Sequence, residues 1–400
     1  MSKILFLNLP AYGHVNPTLG LVEALVDRGE EVIYFCSEEF RHRVEETGAL
    51  FKGYRENYFL KQKNKAIGNN GFYLYINKIL TSCEKVIEDI LFQIKGIKID
   101  YIIYDSTFTY GSIIADILGI PSISSFAIFA TSKELMSKNS SFINSELINH
   151  LNELDAYKET ASKLKETYNI ELPKISDMFF SKSDINIVYT SKYFISHAEF
   201  YDDSYKFIGP SICKSSMNLH FPFEKLEGKK VIYITLGTVF NNSDTRLYDI
   251  FFEAFGKEEN VVVVMTAYNL DISEFNIPDN FIVKHFVPQS EILKYTHVAI
   301  THAGMNSTSE LICNGIPFVA IPIEADQPYI AARVSELGAA ISLKKNELTS
   351  EILKNSVEMV LKDSSYLKNM KKIYDSFKES GGFNRAIEEI FEFKRDKGIN

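Results

Sequence analysis

Short apolar runs alternate with stretches of helical periodicity along most of the chain. Lys3 to Leu9 is an almost continuous apolar run that ends at a turn containing Pro and Gly, which is typical of a buried parallel strand. A helical pattern then opens at Asn16-Pro17, since Pro is favoured at the first helical position, and it stops at Gly29. The same alternation predicts further strands at Glu31–Cys36, at Tyr101–Tyr104, after Pro121 and at Ile185–Thr190.

A second series of the same kind follows an irregular stretch rich in Gly, Pro and Ser at residues 209–228, which we interpret as an interdomain linker. The strands predicted beyond it are Val231–Thr235, Asn260–Met265, Phe281–Lys284, Val298–Thr301 and Phe318–Ile321. Alternating strands and helices indicate a parallel sheet covered by helices on both faces. The chain is therefore predicted to form two doubly wound, Rossmann-like α/β domains.

The predicted organisation is an N-terminal domain over residues 1–208, the linker, a C-terminal domain over 229–380 and a terminal helix within 381–400. Apolar residues recur at helical spacing from Phe383 to Lys394, so this amphipathic helix could pack back on the N-terminal domain. Doubly wound domains bind ligands at the carboxyl ends of their strands. Two facing domains would then enclose one cleft.

Composition and charge exclude several classes of function. The formal net charge is −9 and the basic residues are scattered, which argues against a nucleic-acid surface. No apolar run approaches the roughly 18 residues that span a bilayer, and no cleavage signal follows the first strand. The four cysteines are far apart and form no CxxC pair, so buried thiols in a cytoplasmic protein are expected.

Common nucleotide-binding motifs are absent. The first strand-to-helix turn, Pro10 to His14, lacks GxGxxG, and the corresponding turn of the second half, Leu236-Gly237-Thr238, lacks a dehydrogenase fingerprint. No P-loop is present either. A dinucleotide-dependent oxidoreductase is therefore disfavoured.

The strongest local signal lies between residues 286 and 327. It comprises Phe286-Val-Pro-Gln289, His302-Ala-Gly304-Met-Asn306-Ser307, Glu310, Gly315-Ile-Pro317, Pro322 and Asp326-Gln327, and it accompanies Gly13-His14-Val-Asn16-Pro17, Ile208-Gly209-Pro210, Leu236-Gly237-Thr238 and Gly381-Gly382. In this order the motifs resemble the family 1, UDP-dependent glycosyltransferases, in particular the bacterial macrolide-type branch. The resemblance covers nearly the whole chain. It implies a GT-B fold, inversion at the anomeric carbon, a nucleotide-sugar co-substrate, and neither a metal nor a bound cofactor.

The residues at the donor motif support phosphate binding on physical grounds. Gly304 lets the backbone approach a ligand closely, and the N-terminus of the following helix offers N–H groups to a diphosphate. His302, Asn306 and Ser307 could add side-chain donors. An alternative is that Ser307 and Glu310 merely form a helix-capping box.

The resemblance assigns further roles. Glu310 would accept hydrogen bonds from the ribose hydroxyls. Phe286 would stack on the base, or else be a core residue, and Met305 would lie near the sugar. Asp326 and Gln327 would bind sugar hydroxyls, although alone they would be a solvated loop or helix cap. The full predicted donor set is Thr238, Phe286, Val287, Gln289, His302, Gly304, Met305, Asn306, Ser307, Glu310, Asp326 and Gln327.

Sugar transfer to a hydroxyl needs a base, and His14 after the first strand is the candidate. Asp105 ends a strand expected in the same sheet and could fix the imidazole tautomer, as in a triad without serine. The family pattern matches both positions. The alternatives are that His14 is a turn residue bonded to backbone and that Asp105 caps the next helix.

The predicted reaction is inverting transfer of a sugar, with UDP-glucose the expected donor, to a macrolide, flavonoid or other phenol. Aromatic residues and Met suit an apolar acceptor pocket in the N-terminal domain, and the candidates are Phe59, Phe72, Phe126, Phe129, Met136 and Phe142. A UDP-sugar epimerase on the same fold and a non-catalytic nucleotide-sugar-binding protein are the alternatives. A monomer or weak dimer, without nucleic-acid or membrane partners, is expected.

Overall fold

The computed structural model describes residues 1–55, 69–127, 154–175, 183–212, 220–237, 245–268 and 271–399, without the side chains of 69–73 and 75. The chain divides into two units. The first holds Met1–Tyr189, His197–Ile208 and Gly381–Asn400, and the second holds Thr190–Ser196 and Gly209–Ser380. Within the described ranges, no helix is long and apolar enough to cross a membrane.

The first unit is built on a parallel sheet. Its strands are β1 (Lys3–Leu7), β2 (Glu31–Cys36), β3 (Leu50–Gly53), β4 (Tyr101–Asp105), β5 (Ser122–Phe126), β6 (Ile185–Val188) and β7 (Tyr205–Phe207), in the order β3-β2-β1-β4-β5-β6-β7. Its helices are α1 (Tyr12–Asp27), α2 (Arg41–Glu45), α3 (Asn69–Gln93), α4 (Tyr110–Leu118) and α5 (Asp155–Tyr168). Ile4 to Leu7 are 0% exposed at every position, because helices cover both faces of the central strand.

The second unit repeats this plan. Its strands are β8 (Lys230–Thr235), β9 (Val261–Thr266), β10 (Phe281–Lys284), β11 (Thr296–Thr301), β12 (Phe318–Ala320) and β13 (Ile341–Ser342), in the order β10-β9-β8-β11-β12-β13. Its helices are α6 (Thr245–Phe255), α7 (Gln289–Ile292), α8 (Met305–Cys313), α9 (Gln327–Glu336), α10 (Ser350–Lys362) and α11 (Ser364–Glu379). The prediction of two doubly wound α/β domains is confirmed.

Each sheet has a point where the strand order reverses. In the first unit β1 lies between β2 and β4, and in the second β8 lies between β9 and β11. The parallel register pairs Leu7 with Tyr104 and Thr235 with Thr301, so the loops after each pair leave from the same edge. Such reversal points are where doubly wound domains bind ligands.

The segment Thr190–Ser196 belongs to the second unit, whereas the sequence boundary at residue 208 put it in the first domain. Arg333 donates hydrogen bonds to the carbonyl oxygens of Phe194 (3.0 Å) and Tyr193 (2.8 Å). The ring of Phe194 also meets that of Phe377 edge-on at 5.6 Å. These contacts involve residues far apart in sequence, which local patterns do not reveal.

The terminal helix α12 (Gly382–Asp396) packs on the first unit. Lys394 forms a buried ion pair with Glu30 at 2.5 Å, and the ring of Phe393 meets that of Tyr101. Phe383 fills the space beside Gly20, where an added Cβ would come within 2.3 Å of the ring. The amphipathic pattern of the helix thus serves to cover this unit.

Candidate functional site

His14 is carried by the first turn of α1, directly after the central strand β1. The prediction that this helix opens at Asn16-Pro17 is wrong, because the helix begins at Tyr12 and encloses the proline. The carbonyl oxygen of Ala11 accepts from the N–H groups of His14 and Val15, both at 2.9 Å, and so closes the turn earlier. His14 is the third residue of a helix rather than a loop residue.

The imidazole of His14 is paired with Asp105, the last residue of β4. Nδ1 of His14 lies 2.9 Å from Oδ2 of Asp105, and the two side chains are 15% and 0% exposed. A carboxylate only accepts, so Nδ1 carries the proton and Nε2 carries the lone pair of the neutral ring. The pair is thus arranged as an oriented base.

The second oxygen of the Asp105 carboxylate is held by Thr107. Oδ1 accepts from the backbone N–H of Thr107 at 2.9 Å, and the threonine hydroxyl also donates to it. The alternative that Asp105 caps the next helix is wrong, since α4 begins at Tyr110 with Thr109 as its N-cap. Thr107 escaped the sequence analysis, although an Asp followed by Thr two residues later is a typical side-chain turn.

A buried polar network fixes the helix turn that bears His14. Nδ2 of Asn8 donates to the carbonyl oxygen of His14 (3.2 Å) and to Oγ1 of Thr18 (3.1 Å). The Thr18 hydroxyl donates to the carbonyl oxygen of Val15 (2.8 Å) and lies 2.8 Å from the Tyr34 hydroxyl. Asn8 lies within the apolar run from Lys3 to Leu9, and the sequence pattern gave no sign of this role.

In the second unit, the chain leaves β11 and enters α8 through His302, Ala303 and Gly304. Ala303 has a φ of 62°, a left-handed conformation that costs a side-chain-bearing residue about 1 kcal/mol. Gly304 is the N-cap of α8 and has no side chain to offer. The capping-box alternative is therefore wrong, because Ser307 is the third helical residue rather than the cap. The first-turn N–H groups of α8 remain the positive end of the helix dipole.

His302 is enclosed by this turn. Nδ1 donates to the carbonyl oxygen of Thr235 at 3.2 Å, and burial lowers the pKa of the imidazole to about 4. An added Cβ on Gly237 or Gly304 would come within 2.7 or 2.4 Å of Nε2, so both glycines make room for the ring. At neutral pH Nε2 is an acceptor. The role of His302 as a donor to the phosphate stays a prediction.

Glu310, on α8, is bonded to Gln289 and through it is linked to Tyr233. Nε2 of Gln289 donates to Oε2 of Glu310 at 2.7 Å, and the Tyr233 hydroxyl donates to Oε1 of Gln289 at 2.8 Å. Burial raises the pKa of Glu310, and the bond from Gln289 opposes that rise. Tyr233 is not among the predicted site residues, because an aromatic residue within an apolar strand is typical of the core.

The remaining apolar members of the donor motif differ in exposure. Phe286 is 37% exposed, and Tyr268 contacts its ring edge-on at a centroid distance of 5.0 Å. It is therefore not a core phenylalanine and retains surface for stacking. Val287 and Met305 are each 7% exposed, so both lie mainly inside the unit.

Asp326 and Gln327 stand at the start of α9, where Asp326 is the N-cap residue. Gln327 is 2% exposed, and its Oε1 accepts from the N–H groups of Ile323 (2.8 Å) and Glu324 (3.1 Å). The amide oxygen thus holds the preceding loop. Ala325 within that loop has a φ of 58°.

Most residues of the predicted acceptor pocket lie outside the part of the chain that the structure describes. Phe59, Phe129, Met136 and Phe142 lie outside the described residues, as does Thr238 of the donor set, and the side chain of Phe72 is not described. Phe126 is 3% exposed and its ring contacts that of Tyr205 at 5.8 Å. Phe126 is thus packed inside the first unit.

Comparisons with known proteins identify the family and the fold of this chain. A family model described as UDP-glucoronosyl and UDP-glucosyl transferase matches residues 156–379. The uncharacterized UDP-glucosyltransferase YdhE of Bacillus subtilis is 34% identical, with 99% of this chain and 100% of the relative aligned. The NDP-glycosyltransferase YjiC of Bacillus licheniformis is 31% identical over 100% and 99% of the two chains.

More distant similarities include further glycosyltransferases. The oleandomycin glycosyltransferase of Streptomyces antibioticus is 25% identical over 97% of this chain and 90% of its own length. The crystal structure of the kitacinnamycin glycosyltransferase superposes with a TM-score of 0.82 at 21% identity, covering 98% of each chain. The fold class predicted as GT-B is thereby confirmed.

Proposed function

The chain belongs to the UDP-glucoronosyl and UDP-glucosyl transferase family, and on that premise we propose that it transfers a hexose, with inversion, to a hydroxyl of a small hydrophobic acceptor. It is a glycosyltransferase by family. UDP-glucose is the proposed donor, and a macrolide, flavonoid or other phenol is the proposed acceptor. The similarity to the oleandomycin enzyme supports the macrolide class, although that name describes the relative only.

The observation that carries the proposal is the pair formed by His14 and Asp105, with 2.9 Å between Nδ1 and Oδ2. Nε2 of His14 takes the proton of the acceptor hydroxyl as its oxygen attacks the anomeric carbon. The bond from that carbon to the diphosphate oxygen breaks, and the nucleoside diphosphate leaves with the electron pair. Asp105 stabilises the imidazolium that forms.

The donor is proposed to bind at the second unit. The N-terminus of α8, with Asn306 and Ser307, holds the diphosphate and stabilises the charge that develops on it. Glu310 accepts hydrogen bonds from the ribose hydroxyls, and Phe286 stacks on the base. Asp326 and the amide nitrogen of Gln327 bind the sugar. Neutral His302 offers its Nε2 to the donor as a hydrogen-bond acceptor. No metal is required in this scheme.

A transfer assay tests the proposal. Purified protein is incubated with several nucleotide sugars and a panel of phenols and macrolides, and products are identified by mass spectrometry and by the anomeric configuration of the new bond. We expect β-linked hexosides from an α-linked donor. The proposal would be contradicted if the protein bound nucleotide sugar without forming any product, or if it only epimerised the donor. The family match supports neither a pure binding protein nor an epimerase.

A further inference from the structure

We propose that Tyr233 is a positioning residue for the donor nucleoside: its hydroxyl fixes the Gln289 amide, which in turn orients the Glu310 carboxylate toward the ribose. The inference rests on the proposed function, since it takes Glu310 to be the ribose ligand. It concerns three elements of the second unit, β8, α7 and α8, which supply one residue each.

The direction of each hydrogen bond in this chain is determined by chemistry. The ionised Glu310 carboxylate can only accept, so the amide NH₂ of Gln289 must face it, at 2.7 Å. The amide oxygen of Gln289 then points the other way and needs a donor. The hydroxyl of Tyr233, 2.8 Å away, supplies that donor.

The tyrosine hydroxyl therefore selects one of two amide orientations. Without it, the Gln289 side chain could rotate by half a turn and direct its oxygen at the carboxylate, which would repel Glu310. Tyr233 is 1% exposed, so its ring is held by the core and the hydroxyl position is defined. The amide of Gln289 is not fixed in the same way by its own element, because Gln289 is the first residue of α7, a helix of only four residues.

The orientation matters because a carboxylate that binds two adjacent hydroxyls must present its oxygens in one plane toward them. Oε2 of Glu310 is already engaged by Gln289, and this bond restricts rotation of the carboxylate. Loss of the restriction should weaken ribose recognition, whereas the diphosphate and the base use other groups. The predicted signature is a loss of preference for ribose over 2′-deoxyribose.

The test is calorimetric binding of UDP and of 2′-deoxy-UDP to the full-length enzyme and to Tyr233→Phe. The wild type should prefer UDP by about tenfold or more, the usual size of a hydrogen bond to a charged group. Tyr233→Phe should bind UDP about 3- to 10-fold more weakly and 2′-deoxy-UDP with little change. In transfer assays the donor KM should rise more than kcat falls, since uniform binding is lost. Tyr248→Phe, an equally buried tyrosine of the same unit, is the matched control and should retain the preference.

Glu310→Ala separates failure of this inference from failure of its premise. If Glu310→Ala keeps the preference for UDP, Glu310 does not bind ribose and the inference fails with that assignment. If Glu310→Ala loses the preference but Tyr233→Phe retains it, only the role of Tyr233 is overturned. Product formation by the wild type is scored separately, so the proposed transferase activity is judged on its own.

A double variant shows whether Tyr233 acts through Gln289. Gln289→Met removes both hydrogen bonds, so Tyr233→Phe should cost little more in that background. Additive losses would overturn the relay. Should Tyr233→Phe fail to fold, Gln289→Met alone must lower the UDP preference, and an unchanged preference would equally overturn the proposal.

Discussion

Oδ2 of Asp105 accepts a hydrogen bond of 2.9 Å from Nδ1 of His14. The pair lies where the strand order of the first sheet reverses between β1 and β4. The aspartate side chain is fully buried and its other oxygen is occupied by Thr107. A buried carboxylate with both oxygens engaged can hold the imidazole in one orientation. The first prediction follows from this pair.

Replacing His14 by Ala should lower turnover with an alcohol acceptor by about 10²- to 10⁴-fold, the usual contribution of a general base. This corresponds to about 3–5 kcal/mol in the barrier. A more acidic phenol needs less help, so the loss should shrink along a series of phenols of decreasing pKa. The measurement is turnover for that series with wild type and variant.

Controls make this experiment specific. His42→Ala removes a histidine whose side chain is 86% exposed and should change nothing. Asp105→Asn should show a weaker form of the His14→Ala pattern, because the base stays but its orienting charge is gone. An equal loss for every phenol, or near-normal turnover of His14→Ala, would mean that the proton goes elsewhere.

Replacing Glu310 by Ala should weaken UDP binding by about 1–3 kcal/mol, the cost of losing a hydrogen-bonding charge. Calorimetry measures this directly. Glu347→Ala, whose side chain is 62% exposed, serves as the matched loss of charge and should bind UDP normally. Unchanged affinity in a folded Glu310→Ala protein would remove Glu310 from the donor site.

Transfer should continue in EDTA. The scheme stabilises the leaving diphosphate through the N-terminus of α8, so no divalent ion has to neutralise it. The assay compares initial rates before and after chelation and dialysis. Loss of activity that only Mg²⁺ or Mn²⁺ restores would show that the helix is not the main phosphate partner.

Stability should fall as the pH drops below about 6.5, because of His302. Its pKa is lowered from 6.5 to about 4 by burial, so between these values the unfolded chain binds a proton that the folded chain does not. The contribution of neutral His302 to the free energy of unfolding is complete above the pKa of the unfolded chain. It is lost as the pH falls toward the pKa of the folded protein, by about 3 kcal/mol in all. Urea unfolding at pH 7 and pH 4.5 measures it.

The variant His302→Gln isolates that contribution, since it carries no titrating ring. The difference in unfolding free energy between the two pH values should be smaller in His302→Gln than in wild type, while His42→Gln should match the wild type. Equal pH dependence of wild type and His302→Gln would show that His302 is not held neutral by the fold.

Local patterns predicted the central strands of both sheets, because a strand buried on both faces leaves a short, continuous apolar run bounded by turn residues. They failed at the start of α1, where the helix begins five residues before Pro17. The preference for Pro at the first helical position is statistical, whereas the Ala11 carbonyl and the buried side chain of Asn8 close the turn in this protein. Local patterns also failed to predict short strands such as β13, since a strand of two residues is too short to show an alternation of apolar and polar positions.

The sequence by itself determined the two-domain α/β plan, the order of the motifs and the candidate base and donor residues, since each is encoded within a few neighbouring positions. Only the tertiary structure decided which side chains meet. His14 and Asp105 are 91 residues apart, Tyr233 and Gln289 are 56 apart, and His302 reaches a carbonyl 67 residues away. Pairings of this kind depend on how the strands are ordered in the sheet and on which loops leave from the same edge. That information resides in packing between distant segments rather than in any local pattern.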